Sequence, residues 1–351
     1  MKLFSADAQL AHQPRQFMVH GRIVDPFENP NRATTLVDAL ARLGLARTEP
    51  ADFGQEPILK VHADHYVAFL EQAYARFMEL PNHGLEVLPN VHPYWGAGSD
   101  FRARGEPRPT GIIGRAGWYM GDLSCAIMEG TFRAAYASAQ TAIAGAEALL
   151  AGEQAAVSLC RPPGHHAYAD RASGFCYLNN AAIAAELLLR ASSKVAIIDF
   201  DTHHGDGTQA IFYTRGNVFY GSVHTDPRSY YPHFVGYADE IGAGEGEGAN
   251  LNLPLVQGAD DEAFIDANQR LAVAVQAHGA EALILSAGWD AHKDDPLSRL
   301  GVTTEAYSRI GEIWGKLGLP TLIVQEGGYS LAAVAEAAPA FVKAFCAESG
   351  G

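Results

Sequence analysis

The 351-residue chain carries 40 acidic against 25 basic side chains, a net charge of −15, and 48% of its residues are apolar. That balance excludes an intrinsically disordered chain, which lacks the apolar residues to bury, and it disfavours a nucleic-acid partner, whose phosphates an acidic surface repels. The four cysteines, Cys125, Cys160, Cys176 and Cys346, form no close pair, so neither a disulfide framework nor a thiolate metal site is expected and a reducing, cytoplasmic location fits.

In chain order, the first dozen residues hold one basic side chain and no long apolar run, and no apolar stretch reaches the ~18 residues of a membrane span, so neither a leader nor a membrane partner is expected. Residues 80–122 are rich in proline, glycine and aromatics, among them Tyr94, Trp95, Trp118 and Tyr119, and read as a long insertion loop. Beyond it, short apolar runs and helically spaced segments alternate: a helix at 130–150, a strand at 155–159, a helix at 178–191, strands at 195–200 and 218–223, a helix at 261–278, a strand at 282–286, a helix at 304–317, a strand at 321–324 and a helix at 331–345. The glycines of 242–248 follow no strand and precede no helix, so they read as a flexible loop and not as a dinucleotide fingerprint. Alternating strands and helices predict a mainly parallel sheet with helices on both faces, a three-layer α/β/α architecture. No repeat or linker divides the chain, so 1–351 is expected to be a single domain.

Ligands of parallel sheets bind beyond the carboxyl ends of the strands, and here those positions carry the polar residues. The strand at 155–159 is followed by Arg161-Pro-Pro-Gly-His165-His166, the next by Asp199-Phe-Asp201-Thr-His203-His204-Gly-Asp206, a later one by Trp289-Asp290-Ala-His292, and the last by Gln325-Glu326-Gly-Gly-Tyr329. Asp201 and His203 are two residues apart, so on an extended strand end they point the same way, and Asp290 can approach from a neighbouring strand. One nitrogen and two oxygens with a fourth position left open is the donor set of a catalytic zinc site. A single His or Asp in such a place is more often a capping or core residue; four strands delivering such residues to one rim outweighs that reading.

The motifs RPPGHH, GFCYLNN, DFDTHHGDG, AGWDAHKDDP and QEGGY, in this order and spacing, resemble the histone deacetylase superfamily, most of all the bacterial acetylpolyamine amidohydrolases, with their arginase/deacetylase-like fold. The resemblance implies removal of acetyl groups from small acylated amines, with acetyl-lysine in proteins as the alternative substrate. It implies zinc on Asp201, His203 and Asp290, a general base and acid in His166, a charge-tuning His165, an oxyanion donor in Tyr329, and Asp199 and Asp206 as partners of the two histidines. Phe175 and Tyr231 match the walls of a narrow substrate tunnel, with Gly174 and His204 as further substrate contacts. Asp199, Asp201, the His203 backbone and Ser222 match a structural potassium site. Residues 21–32, 59–62 and 230–237 are similar to the corresponding stretches of acetylpolyamine amidohydrolases, in which the opening loop and the insertion narrow the entrance across a homodimer. Two acidic positions found in some members correspond here to Ile113 and Ser124, while Asp122 and Glu129 lie nearby. An arginase-type two-manganese hydrolase would need carboxylates where Gly205 and His292 stand. A catalytically dead sensor is disfavoured because every expected catalytic residue is present.

Overall fold

The computed structural model describes residues 1–93 and 105–349; Tyr94 and Trp95 lie outside the described residues. Ten strands form, β1 (Lys2–Phe4), β2 (Phe17–Val19), β3 (Arg22–Val24), β4 (Arg47–Thr48), β5 (Ala155–Ser158), β6 (Val195–Asp199), β7 (Val218–Thr225), β8 (Asn250–Leu255), β9 (Ala282–Ala287) and β10 (Thr321–Gln325). Eight of them make one sheet in the order β4-β1-β5-β10-β9-β6-β7-β8, parallel at every pairing, while β2 and β3 form a separate antiparallel hairpin.

The alternation of side chains along each strand feeds two cores. Ile197, Tyr220, Ile284 and Val324 pack with Phe69 and Leu70 of α3 (Asp64–Met78), Ile143 of α5 (Thr131–Leu150) and Ile183 of α6 (Asn180–Leu188). Their neighbours Ile198, Phe219, Leu285 and Ile323 pack instead with Leu36 of α1 (Asn31–Ala41), Leu271 of α8 (Asp261–His278), Trp314 of α9 (Thr304–Gly315) and Phe341 of α10 (Leu331–Glu348). Each face of the sheet is thereby covered, as its continuous apolar strands require. The helix ends are set locally: Asn179, Asp260 and Ser330 cap α6, α8 and α10 by accepting from Ala182 N, Ala263 N and Ala333 N, and Gly279 ends α8 at φ 78°.

The structure departs from the sequence reading in three places. The expected loop at 80–122 contains α4 (Ile112–Tyr119), whose Ile112, Ala116 and Tyr119 are buried. The short α2 (Glu56–Leu59) and α7 (Asp206–Phe212) were not predicted. The strands β1, β4 and β8 complete the sheet although none carries a buried apolar run. β8 reads Asn-Leu-Asn-Leu-Pro-Leu and holds the sheet edge, where Pro254 removes no needed ladder bond.

The sheet order places the site. β5, β10, β9 and β6 are consecutive neighbours at the centre of the sheet, so the four loops that carry the motifs leave from adjacent strand ends.

Candidate active site and metal centre

Asp201 and His203 lie just past the end of β6, in a bend and not on the extended strand expected for them; backbone hydrogen bonds, not strand pleating, converge the side chains. Asp201 Oδ1 accepts from His203 N at 2.9 Å and Asp201 Oδ2 from Gly327 N at 2.8 Å, while Asp290 Oδ1 accepts from Thr202 N at 3.0 Å. One ligand atom from each of Asp201, His203 and Asp290 lies within 4.8 Å of the others, all three residues being buried. His203 Nδ1 is 3.0 Å from Asp201 Oδ1 and 3.3 Å from Asp290 Oδ2, close to the ~3.4 Å edge of a tetrahedron built on bonds of about 2.1 Å. Asp290 Oδ2 is buried and accepts no hydrogen bond. The backbone crowds in behind: at Gly327 even a Cβ would lie 2.2 Å from Asp290 Oδ2.

The tautomer of His203 follows from its other nitrogen. Nε2 is 2.8 Å from the hydroxyl of Tyr230, whose ring stacks on the imidazole at 4.9 Å, and that hydroxyl also contacts the carbonyl of Leu297. A phenol has one proton; given to Leu297 O, it leaves the oxygen to accept Nε2–H and leaves Nδ1 free as a ligand. Burial disfavours a charged imidazole at His203, yet Asp201 and Asp290 overcome it and push the pKa up to about 10. A site that holds two carboxylates and demands positive charge this strongly fits a divalent cation, with His203 then neutral.

The paired imidazoles face this trio. His165 Nδ1–H donates to Asp199 Oδ2 at 2.9 Å and its Nε2 lies 3.8 Å from Asp201 Oδ2; His166 Nδ1–H donates to Asp206 Oδ1 at 2.7 Å, and Tyr168 O–H donates to Asp206 Oδ2 at 2.8 Å. The two rings are 4.0 Å apart but take opposite charge states. Burial works against protonating either, and at His165 the carboxylates of Asp199 and Asp201 prevail and raise the pKa to about 10. At His166 burial, reinforced by the charge on His165, lowers the pKa below its ordinary value. One imidazolium beside one neutral imidazole pairs a fixed charge with a base.

Tyr329 is buried with its ring 5.7 Å from Phe175, and burial pushes its pKa well above 10, so its hydroxyl stays a donor. Phe175 also meets Phe17 at 5.2 Å, while Tyr231 stands edge-on to His166 at 5.0 Å. These rings and Gly174 surround the approach to the trio. His204, expected as a substrate contact, is placed elsewhere: it is fully buried, Nε2 lies 3.1 Å from both Gln209 Oε1 and Asn252 Oδ1, and its ring abuts His224. Its neighbour His203 takes the inward direction, so His204 turns towards β8. Ser222 sits opposite Asp199 in register, and its hydroxyl is 2.8 Å from His224 Nδ1.

Several residues at the site escaped the sequence reading. Glu326 binds Gly164 N (2.7 Å), His165 N (3.1 Å) and Ser286 Oγ (2.7 Å), tying the histidine loop to the end of β10; its pKa rises to about 7 because it is buried. Asp295 accepts from the backbone of Tyr329 at 2.6 Å. Arg32 donates to Gly328 O and Glu326 O and lies 4.6 Å over the Tyr329 ring, while Glu28 joins it to Arg161. Quoted as part of motifs, these residues gave no separate signal because their decisive partners lie on other loops, from 34 positions away for Asp295 and Tyr329 to 296 for Arg32 and Gly328.

A second catalytic divalent ion has no comparable set of His, Cys or carboxylate donors among the described residues. The other close trio, His165, Cys176 and Glu326, is already spent on the hydrogen bonds above, with Cys176 Sγ donating to Gly174 O. At Gly205 a Cβ would lie 2.3 Å from Asp199 Oδ2, leaving no room for a carboxylate. Fold and site thus define an enzyme of the α/β class whose strand-end trio fits one catalytic metal ion.

Comparison with known proteins agrees. Residues 26–345 match the histone deacetylase domain. The acetylpolyamine amidohydrolase of Burkholderia pseudomallei is 43% identical over 343 residues, covering 97% of this chain and 98% of that protein, and acetylpolyamine amidohydrolase 2 of Pseudomonas aeruginosa is 42% identical over 333 residues, covering 94% of each. A crystal structure of the Burkholderia pseudomallei acetylpolyamine aminohydrolase superimposes with a TM-score of 0.94 at 42% identity, over 99% of both chains. The chain belongs to the histone deacetylase family and is a hydrolytic deacetylase.

Proposed function

We propose that this deacetylase removes acetyl groups from acetylated polyamines or related small acylated amines, using one zinc ion held by Asp201, His203 and Asp290. The observation that carries the reading is the buried trio faced by His165 and His166, each held through Nδ1 by an aspartate; the aromatic rings of Phe175, Tyr231 and Tyr329 beside it and the two amidohydrolase relatives support the substrate class.

Zinc, when bound, supplies a Lewis acid that polarises the acyl carbonyl and acidifies water. The chain does the rest. His166, its Nδ1–H committed to Asp206, takes the proton of the attacking water at Nε2. As the carbonyl carbon turns tetrahedral, the Tyr329 hydroxyl donates to the oxygen on which charge builds. The protonated His166 then delivers its proton to the amine nitrogen as the C–N bond breaks, releasing amine and carboxylic acid. His165, held charged by Asp199, keeps positive potential beside the reacting centre throughout.

A potassium ion beside Asp199, Asp201, the His203 backbone and Ser222 is supported by the full burial of Asp199 beside a second carboxylate. A homodimer is supported by the exposed apolar side chains of Met18 and Ile23 on the β2–β3 hairpin and of Leu85 and Val91. A single functional unit spanning 1–351 is taken as part of this reading. A cytoplasmic location is supported by four unpaired cysteines; among the described residues no helix is long and apolar enough to cross a membrane.

The test is kcat/KM on acetylputrescine, acetylspermidine and acetyl-lysine peptides with zinc-loaded protein. Efficient turnover of the small amines with poor turnover of peptides is expected; the reverse order overturns the substrate assignment.

A further inference from the structure

Asp122 precedes every motif strand and belongs to no motif, yet its carboxylate is among the most heavily bonded near the site. Oδ1 accepts from Ser124 N (2.9 Å) and Ser124 Oγ (2.6 Å). Oδ2 accepts from Gly174 N (3.0 Å), Ser173 Oγ (3.1 Å) and the Tyr231 hydroxyl (2.7 Å). Burial works against its charge, but these donors overcome that and hold the pKa below the ordinary value. One oxygen thereby joins two different walls of the approach: the backbone that aims Phe175 and the ring that stands against His166.

Both walls need such a tie. Gly174 and Phe175 sit at φ 52° and 67°, a left-handed conformation that a phenylalanine adopts only where its surroundings impose it. A Cβ at Gly174 would lie 2.3 Å from His166, so this stretch is pressed onto the base with no slack. Tyr231 has open space on its far side: Asp122, Ser173 and Tyr231 also border a cleft of about 910 Å³ that runs outward past Tyr168, Tyr213 and Phe234. Neither His166, Phe175 nor Tyr329 lines that cleft. Tyr231 therefore borders the cleft while standing edge-on to His166, and Asp122 and Ser173, whose oxygens meet its hydroxyl at 2.7 and 2.8 Å, hold it there.

We propose that Asp122 is a specificity-determining residue: by stapling the Tyr231 hydroxyl to the Gly174–Phe175 backbone it closes the flank of the tunnel and restricts the enzyme to amides whose nitrogen bears an unbranched chain. This rests on the reading of the protein as a deacetylase of small acylated amines. Without the staple, Tyr231 is free to lean into the cleft and the space beside the scissile amide widens. The carboxylate acts through Tyr231 and the backbone, without touching the reacting atoms.

The test compares kcat/KM for N-acetyl-1,4-diaminobutane with that for its analogue carrying a methyl on the carbon next to the amide nitrogen. A well-fitted pocket discriminates a methyl group by roughly 10- to 200-fold, and the wild type is expected to favour the linear amine within that range. Asp122→Ala is expected to bring the ratio to within about threefold, through a lower KM for the branched amine. Tyr231→Phe keeps the ring and the carboxylate but deletes the hydroxyl, so it should relax the ratio even if Asp122→Ala folds poorly, and the double variant should relax it no further. A wild-type ratio retained in Tyr231→Phe, or an equal loss on both amines in both variants, overturns the staple while leaving the deacetylase reading intact. Absence of wild-type turnover on both amines overturns that reading and the proposal with it.

Discussion

The loops that leave β5, β6, β9 and β10 and the segments that precede α5 build the same site by different means. The strand-end loops supply the reacting groups, Asp201, His203, Asp290, His165, His166 and Tyr329, from adjacent parallel strands. The earlier segments supply what shapes and charges their surroundings: Glu28 and Arg32 beneath Tyr329, Phe17 against Phe175, and Asp122 behind Tyr231. In the first region a rigid sheet fixes position, so residue type at a strand end is nearly sufficient for function. In the second, position rests on networks of hydrogen bonds and ion pairs to other loops. Substitutions in the two should therefore fail differently.

The largest effect is expected at Asp290. Asp290→Ala removes one of two carboxylates from the trio and should cost turnover a factor on the order of 10³ or more, with zinc content falling in parallel by elemental analysis and the circular dichroism spectrum unchanged. His166→Ala should lower kcat by roughly 10²–10⁴-fold while zinc stays bound. If that variant kept wild-type kcat on every acylated amine tried, the assignment of His166 as base would have to be abandoned.

The earlier region should answer in stability. Glu28 is fully buried between Arg32 and Arg161, and Glu28→Gln strands two buried guanidinium groups. A loss of about 3–5 kcal/mol in unfolding free energy is expected from denaturant titration. Glu28 also carries a pH dependence. Burial opposes its charge, but Arg161 and Arg32 overcome this and lower the folded pKa below 4.5. Its contribution is therefore fully present above the unfolded value, about 4.3–4.5, and is lost as the pH falls further through the folded one. The wild type should lose more stability between pH 5 and pH 3 than Glu28→Gln does; parallel curves would contradict the ion-pair account. The smallest effect is expected at Asp206, where Asp206→Asn leaves His166 in place but weakens its orientation, costing kcat roughly 10- to 100-fold by steady-state assay.

The same contrast explains how much the sequence revealed. The central strands and the longer helices α5, α6, α8, α9 and α10 were legible because buried parallel strands are continuous apolar runs and their helices keep a 3.6-residue period. That Asp201, His203 and Asp290 come together was legible because several adjacent strand ends deliver polar residues to one rim, whereas the pairing of His165 with Asp199 and of His166 with Asp206 came from the resemblance of the motifs alone. β1 and β4 were not, being two or three residues long and held by strands far away in the chain, β1 by β5 and β4 by β1. α4 hid among prolines and glycines, and β8 behind its asparagines and Pro254. His204 shows the limit at single-residue scale: it adjoins a ligand in sequence, yet the backbone turns it towards Gln209 and Asn252. Glu326, and Asp122 through its Oδ2, act on atoms contributed by distant loops, information that no local spacing contains.

One divalent ion on Asp201, His203 and Asp290 is expected to suffice for hydrolysis. The direct measurement is to strip the protein with a chelator and titrate zinc back while following both bound zinc and turnover of N-acetyl-1,4-diaminobutane. Activity should vanish on stripping and return in proportion to binding, saturating at one zinc per chain. Turnover that survives stripping, or that appears only with a second equivalent of metal, would contradict it.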